Sequence, residues 1–327
     1  MADVEIKNIE EEENGMRLDR WFKVHYPGLG FGHLQKLLRS GQIRVDGGRV
    51  KADTRLFRGQ WVRVPPLPVD DKKSFPVTDK TLRGQDDGVI LKKMLLYEDP
   101  KVFVFNKPAG LAVQGGSGLT RHVDSMLEAW RNKKGERPRL VHRLDRETSG
   151  VLIVARSRGA AQNLTAAFRT RETKKTYWAL VRGVPKKKQD KISTWMVKDI
   201  TALGDKMRVC GHGEPDSYHA VSYYRVLDTR GRSLSWLEME PYTGRTHQLR
   251  VHAAHMDHPI IGDSKYFFSD SNWTLPGGIQ NRLHLHARRI RIPHPSGGIL
   301  DIVAPLPPHM LQSFNLLAFN ENDGETK

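Results

Sequence analysis

The sequence predicts a small basic unit of helices and short strands followed by a larger α+β domain with a mixed or antiparallel sheet. Three observations lead there. The length of 327 residues suggests about two domains. Between them, Pro65 to about Asp87 ("PPLPVDDKKSFPVTDKTLRGQDD") is rich in Pro, Asp and Lys and has little periodicity, as a linker should. From Leu91 onward, strand-like runs with a few helices replace any βαβ series of regular spacing, and no repeat appears. The expected division is an acidic flexible tail over 1–15, the small unit over 16–66, a linker over 67–88 and the larger domain over 89–327.

In the small unit, "MRLDRWFKVHY" spaces Leu18, Trp21, Phe22 and His25 as on one helix, which Pro27 and Gly28 break. "HLQKLLRSG" gives a second helix with Leu34, Leu37 and Leu38 inward, stopped by Gly41. "QIRVDGGRVK" reads as a β-hairpin around Asp46-Gly47-Gly48, and "GQWVRV" as a further strand. These pieces carry Lys36, Arg39, Arg44, Arg49 and Lys51. Their arrangement resembles the S4 domain, an RNA-binding module; the alternative is a basic cap whose charges are merely solvated.

In the larger domain, "KMLLYEDPKVFVFNKPAGLAV" holds two strands bent at Glu98-Asp99-Pro100. "HVDSMLEAW" and "AAQNLTAAFRTR" read as helices, the latter burying Leu164, Ala167 and Phe168. "TYWALVRG", "SYHAVSYYRVLD", "LSWLEMEPY" and "RRIRIPHP" read as strands, many alternating with period two.

Charge narrows the partners. Lys and Arg number 53 against 37 Asp and Glu, a net charge of +16. Such an excess predicts a polyanion bound through phosphates, with nucleic acid the leading case and an acidic membrane surface the other. No amphipathic basic helix or lipidation signal supports the membrane, and no apolar run nears the roughly 18 residues of a spanning helix. The acidic N-terminal stretch lacks the pattern of a targeting signal, and the single Cys210 leaves no disulfide framework or Cys-rich zinc module. A cytoplasmic location is expected.

Two stretches concentrate chemistry. In "RLVHRLDRETSGVLIVARS", one carboxylate, Asp145, sits among His142, Arg143 and Arg146, just ahead of an apolar run from Val151 to Ala155. Cations favour the charged form of a carboxylate, which suits a nucleophile or an electrostatic stabiliser; a surface loop that balances charge is the alternative. Thr148 and Ser149 could simply form the turn. In "PYTGRTHQLRVHAAHMDHPIIGDSKYF", Thr243-Gly244 leads into Arg245, His247, Arg250 and His252. If that segment is helical, Leu249 and Ala253 share a face. His252, His255 and His258 invite a zinc reading, but without a Cys partner or a His-Glu-x-x-His pattern, phosphate-binding histidines explain them better. "NKPAG" places Lys107 before a turn, and "VQGGSGLT" is a glycine loop without the pattern of a P-loop or a dinucleotide fingerprint. Tyr177, opening a strand after a basic run, could stack on a base or belong to the core.

In order after the S4-like unit, "NKPAG", "HRLDRETSGVLIVA", "KKTYWALVRG" and "TGRTHQLRVHAAHMDHPIIGD" resemble the ribosomal large-subunit pseudouridine synthase A family, from Met16 to about Pro308. "GDSKYFF" departs from it in lacking a glycine after Tyr266, which bears on the local loop. The resemblance implies a mixed, largely antiparallel sheet with flanking helices and a central cleft. It implies a catalytic role for Asp145, a base-stacking role for Tyr177 with a part in proton transfer, and Arg250 as the cation paired with Asp145. It makes Arg143 an RNA contact, with His142, Arg245, His247 and Lys107 as further substrate contacts and Lys36, Arg39 and Arg44 as contacts in the S4-like unit. The implied partner is large-subunit ribosomal RNA or a pre-ribosomal particle, met by a monomer with no metal and no cofactor. An RNA-binding protein without catalysis, and a glycosidase needing a second carboxylate, are the competing readings.

Overall fold

The computed structural model describes residues 4–26, 29, 31–67, 80–115, 121–133, 135–170, 172–201, 204–267 and 273–324. The chain forms two compact units, Met1–Thr78 and Asp79–Lys327.

The first unit contains β1 (Glu5–Asn8), α1 (Leu18–His25), α2 (Phe31–Arg39), β2 (Arg44–Val45) and β3 (Trp61–Val64). The helices bury the residues their spacing predicts: Leu18, Trp21 and Phe22 from α1, and Leu34, Leu37 and Leu38 from α2, all in one core. Gly41, at φ +68°, ends α2 in the left-handed conformation a glycine adopts without strain. Two expectations fail here. Residues 1–15 are not simply a tail, because β1 pairs antiparallel with β3 from Glu5↔Val64 to Asn8↔Trp61, and Ile9 closes the core behind it. The predicted hairpin keeps its turn, where Val45 and Gly48 exchange backbone hydrogen bonds. Its strand partner is β3 instead, since Asp46 accepts from the Trp61 amide and so draws β2 alongside it.

Residues 68–79 of the expected linker lie outside the described residues. From Lys80 the chain is helical, and 80–88, expected as linker, form the start of α3 (Lys80–Met94). Leu91 and Met94 anchor this helix in the core of the second unit.

There follow β4 (Leu95–Glu98), β5 (Val102–Lys107), the short α4 (Val123–Met126), β6 (Arg139–Leu140), β7 (Ser149–Ala155), α5 (Arg158–Arg169), β8 (Lys174–Arg182), β9 (Gln189–Thr201) and β10 (Gly204–Cys210). The chain continues through β11 (Tyr218–Arg230), β12 (Leu234–Pro241), α6 (Gln248–His255), β13 (Leu285–Pro293), β14 (Ile299–Val303) and α7 (Pro308–Leu317). One sheet runs β10-β9-β11-β12-β8-β13-β7-β5-β4, with β14 on β13 and β6 on β7. Among the described residues only the β13–β7 pair is parallel, so the sheet is mixed and largely antiparallel, as expected.

Strand β7 shows why an unbroken apolar run belongs in the middle of this sheet. All seven of its residues are buried. Alternation sends Leu152 and Val154 to one face, with Phe103, Phe105 and the helical Leu91 and Met126. Val151, Ile153 and Ala155 go to the other, against Ala160, Leu164 and Ala167 of α5. Gly150 lies where β7 meets β13. At φ +109° it sits so close that a Cβ would fall 2.3 Å from the Ala287 carbonyl oxygen, so only glycine fits. That pairing fixes the end of the loop from Val141 to Thr148, which carries Asp145. Among the described residues, no helix is long and apolar enough to cross a membrane.

Candidate active site

A cleft of about 330 Å³ opens in the second unit, lined from the 142–148 loop, from β8 and from the turn leading into α6. Asp145 stands at its wall with about a fifth of its side chain exposed. A tight turn, in which the Thr148 amide donates to the Asp145 carbonyl, holds the loop. Behind it, Ser149 Oγ donates to His286 Nδ1, and His286 Nε2 donates to the Ala304 carbonyl. Thr148 and Ser149 therefore build the turn.

The "NKPAG" segment is tied to the same loop. The Gly110 amide donates to the Arg146 carbonyl, and Arg146 Nε donates back to the Gly110 carbonyl. Lys107 is fully buried and donates to the carbonyls of Pro108, Leu111 and Arg146 at 2.9, 2.8 and 3.1 Å. An ammonium has three N–H donors, and all three are used. Burial draws its pKa down to about 7, against the pull of Glu147 and Asp145. Lys107, expected as a substrate contact, is instead a staple beneath the Asp145 loop.

His142 is also occupied: its Nε2 accepts from the Ile153 amide at 2.8 Å, and its ring stacks on Phe168. Burial, and secondarily Lys175, pull its pKa down to about 3, so the ring is neutral and positions the loop. It lines the cleft beside the exposed Arg143.

Facing Asp145 is the N-terminal part of α6. Leu249 and Ala253 pack in the core, as their spacing predicts, which turns Arg250 along the opposite wall. Gln248 fastens the entry: its Oε1 accepts from the Thr243 hydroxyl and the Arg245 amide, and its Nε2 donates to the Val221 carbonyl and Ser222 Oγ. His247 adopts φ +54°, an uncommon left-handed conformation for a residue with a Cβ, at the first turn of this helix.

Arg250 is the hub. Only 5% of its side chain is exposed, and its Nε and one terminal nitrogen each donate to Asp263 at 2.7 Å. Asp263 also accepts from the amides of Lys265 and Tyr266, so this buried ion pair has its hydrogen bonds filled. The other terminal nitrogen of Arg250 lies 3.8 Å from Asp145 Oδ2. The expected Arg250–Asp145 pair is present as a longer contact, with Arg250 held in place by a different aspartate.

His247 completes the surround. The Tyr266 hydroxyl accepts from the Met207 amide and lies 2.7 Å from His247 Nδ1. Donation from the hydroxyl leaves Nε2–H pointing to Asp145 Oδ2 at 3.9 Å, a tautomer assigned from the hydrogen-bond network. Burial lowers the His247 pKa, with Asp145 acting in the opposite direction. Tyr177 lines the same cleft from β8 and spans two hydrophobic clusters. Burial pushes its phenol pKa up and Asp145 adds to the effect, so the hydroxyl keeps its proton.

Arg245 lies at the rim, its guanidinium over the exposed Tyr218 ring and its Nε donating to the His219 carbonyl. Lys36, Arg39 and Arg44 belong to the first unit. There Lys36 and Arg39 are exposed, whereas Arg44 donates to the Gly41 and Gly47 carbonyls and so braces the turn. Among the described residues, the histidine triplet does not form a cluster of converging ligands. His252 uses Nε2 on Thr194 and Nδ1 on Ser222, and His258 Nδ1 faces the Arg182 carbonyl. Most of the glycine loop, residues 116–120, lies outside the described residues.

Sequence reasoning missed Asp263, Tyr266 and Lys175. The first two stand in "IIGDSKY", where Gly262 has φ +73° and a Cβ would strike the Arg282 carbonyl oxygen. An apolar pair followed by Gly-Asp was the available signal.

In this mixed sheet the cleft sets one accessible carboxylate against a buried arginine and an aromatic ring. The fold matches human RNA pseudouridylate synthase domain containing 4 with a TM-score of 0.60 at 30% identity, over 73% of this chain and 98% of that one. The sequence model for RNA pseudouridylate synthase matches residues 101–255. Ribosomal large subunit pseudouridine synthase C of Yersinia pestis is 36% identical over 98% of this chain and 97% of its own length. The protein of that name from Escherichia coli (strain K12) is 35% identical over 93% of each. This chain belongs to the RNA pseudouridylate synthase family.

Proposed function

We propose that the protein isomerises uridines to pseudouridine in large-subunit ribosomal RNA, free or in a pre-ribosomal particle, with Asp145 as the catalytic carboxylate. The observation that carries the reading is the arrangement around Arg250: one carboxylate locked beneath it, a second left accessible beside it in the cleft. The names of the relatives support the substrate.

The reaction breaks the N1–C1′ bond of uridine, turns the base and joins C5 to C1′. N1 gains a proton and C5 loses one, so there is no net redox change or hydrolysis and the reading requires no metal or cofactor. Asp145 acts on the sugar or the base as nucleophile or electrostatic partner. Arg250 keeps a fixed positive charge beside it. Tyr177 offers a ring against which an extruded base can rest and a hydroxyl that stays protonated. Arg143 and Arg245 at the rim suit the RNA backbone. A two-carboxylate glycosidase is disfavoured because the nearby Asp263 is buried and committed to Arg250 and two amides.

The first unit is read as an S4-like RNA-binding module. Its groove between Phe31, Arg39, Arg49 and Lys51 is basic and carries an exposed aromatic ring. The protein is read as a cytoplasmic monomer.

The test is incubation with unmodified large-subunit rRNA transcript followed by nucleoside analysis. Wild type should form pseudouridine, and Asp145→Asn should bind the RNA but form none. Substantial product from a folded Asp145→Asn protein would remove Asp145 from the chemistry, and no product from wild type would remove the substrate.

A further inference from the structure

The cations around the cleft differ in what they hold. Lys107 is spent on three carbonyls and Arg250 on Asp263, while Arg143 is exposed and Arg245 uses its Nε on the His219 carbonyl over the Tyr218 ring. Lys175 is different. It stands on β8 two residues before Tyr177, on the same face of the strand, and lines the same cleft. It is partly buried, yet among the described residues its ammonium has no hydrogen-bond or ion-pair partner. Across the opening is the turn before α6: a Cβ added to Gly244 would lie 4.0 Å from Lys175 Nζ, so the ammonium reaches toward the rim.

A half-buried cation with no counterion is costly, and an arriving anion relieves that cost. Burial lowers the Lys175 pKa, because the ammonium has lost solvent. The groups facing it do not supply one. His142 is neutral, Phe168 is apolar, and Tyr177 keeps its proton. Asp145 is directed at Arg250 and His247.

We propose that Lys175 binds a backbone phosphate of the nucleotide whose base enters the cleft against Tyr177. Uracil and ribose are neutral, so the phosphodiester is the anion a uridine in RNA brings. Two residues along a strand set the Cα atoms of Lys175 and Tyr177 about 7 Å apart on one face, so a base resting on the ring would keep its backbone within reach of the lysine. The inference rests on the reading that this cleft accepts a uridine in RNA.

The experiment measures pseudouridine formation on unmodified large-subunit rRNA transcript across a salt series, for wild type, Lys175→Gln and Lys175→Arg. Lys175→Gln should raise the half-saturating RNA concentration about tenfold and reduce the slope of log affinity against log salt by about 0.7–0.9, one phosphate contact. Lys175→Arg should keep most of both. Thermal unfolding of Lys175→Gln should match or exceed wild type, because an unpaired buried charge is removed; a lysine that only supports the fold would give a lower midpoint. Wild-type turnover with an unchanged salt slope in Lys175→Gln overturns this inference alone, as does a lost rate at unchanged half-saturation. If wild type forms no pseudouridine, the substrate reading fails and this inference falls with it.

Discussion

Two aspartates flank Arg250, and the chain treats them in opposite ways. Asp263 is buried behind Gly262, accepts two bonds from the guanidinium and two from backbone amides, and has no capacity left. Asp145 is partly exposed in the cleft and meets the same guanidinium only at 3.8 Å. One carboxylate stabilises the cation; the other stays accessible in the cleft. Side chains of the same type beside the same arginine are thus separated in role by burial and hydrogen bonding alone.

Substitution should separate them as sharply. Asp145→Asn is expected to lower single-turnover pseudouridine formation by at least about a thousandfold. Its thermal midpoint should stay near wild type, because among the described residues Asp145 meets its cations only at 3.8 and 3.9 Å and its side chain accepts no hydrogen bond that asparagine would forfeit. A large stability loss would show that Asp145 is structural after all. Asp263→Asn should do the reverse in emphasis: removing one partner of a buried pair costs about 3–5 kcal/mol of stability, measurable by urea unfolding. A variant as stable as wild type would mean that Arg250 does not depend on Asp263.

Tyr177→Phe tests the ring against its hydroxyl. The rate should fall about a hundredfold if the hydroxyl moves or steers a proton, and Tyr177→Ala should fall further by losing the aromatic face. Equal rates for Phe and wild type would reduce the side chain to packing.

The smallest effect concerns the interior of α6. His252 is buried between two hydroxyls, and burial pulls its pKa down to about 4. The unfolded chain takes up this proton near pH 6.5, while the folded chain refuses it until about 4. Stability from this group is therefore complete near pH 7 and falls as the pH drops through that window, by about 1.4 kcal/mol per pH unit. Urea titrations at several pH values should show a shallower acid loss for His252→Gln. An unchanged slope would mean that His252 is already protonated in the fold.

What the sequence revealed follows from how local the cause is. The helices of the first unit, the central strand at Val151 to Ala155 and the helix with Leu164 and Ala167 are set by nearby spacing, and each formed where expected. The strand at Glu5–Asn8 escaped notice because its partner, β3, lies far along the chain and its own charges suggest solvent. Lys107, His142 and Arg44 were read as contacts because sequence shows their charge or ring but not the carbonyls and amides they meet. Asp263 was missed for the same reason: the local Gly-Asp signals a tight turn but not that the loop returns to Arg250. Asp145 stood out because cations flank it in the sequence, although the cations it faces in the fold are the distant His247 and Arg250.

The position of β13 carries a consequence for biosynthesis. This strand lies between β8, which bears Tyr177, and β7, which ends the Asp145 loop, although it is made long after both. While translation proceeds, the two halves of the cleft have no strand to join them. A nascent chain stopped before Leu285 would hold Asp145, Tyr177 and Arg250 and still lack the wedge that sets the first two side by side. Such late, long-range closure is slow compared with local helix formation. The cleft can close only after β13 has been made.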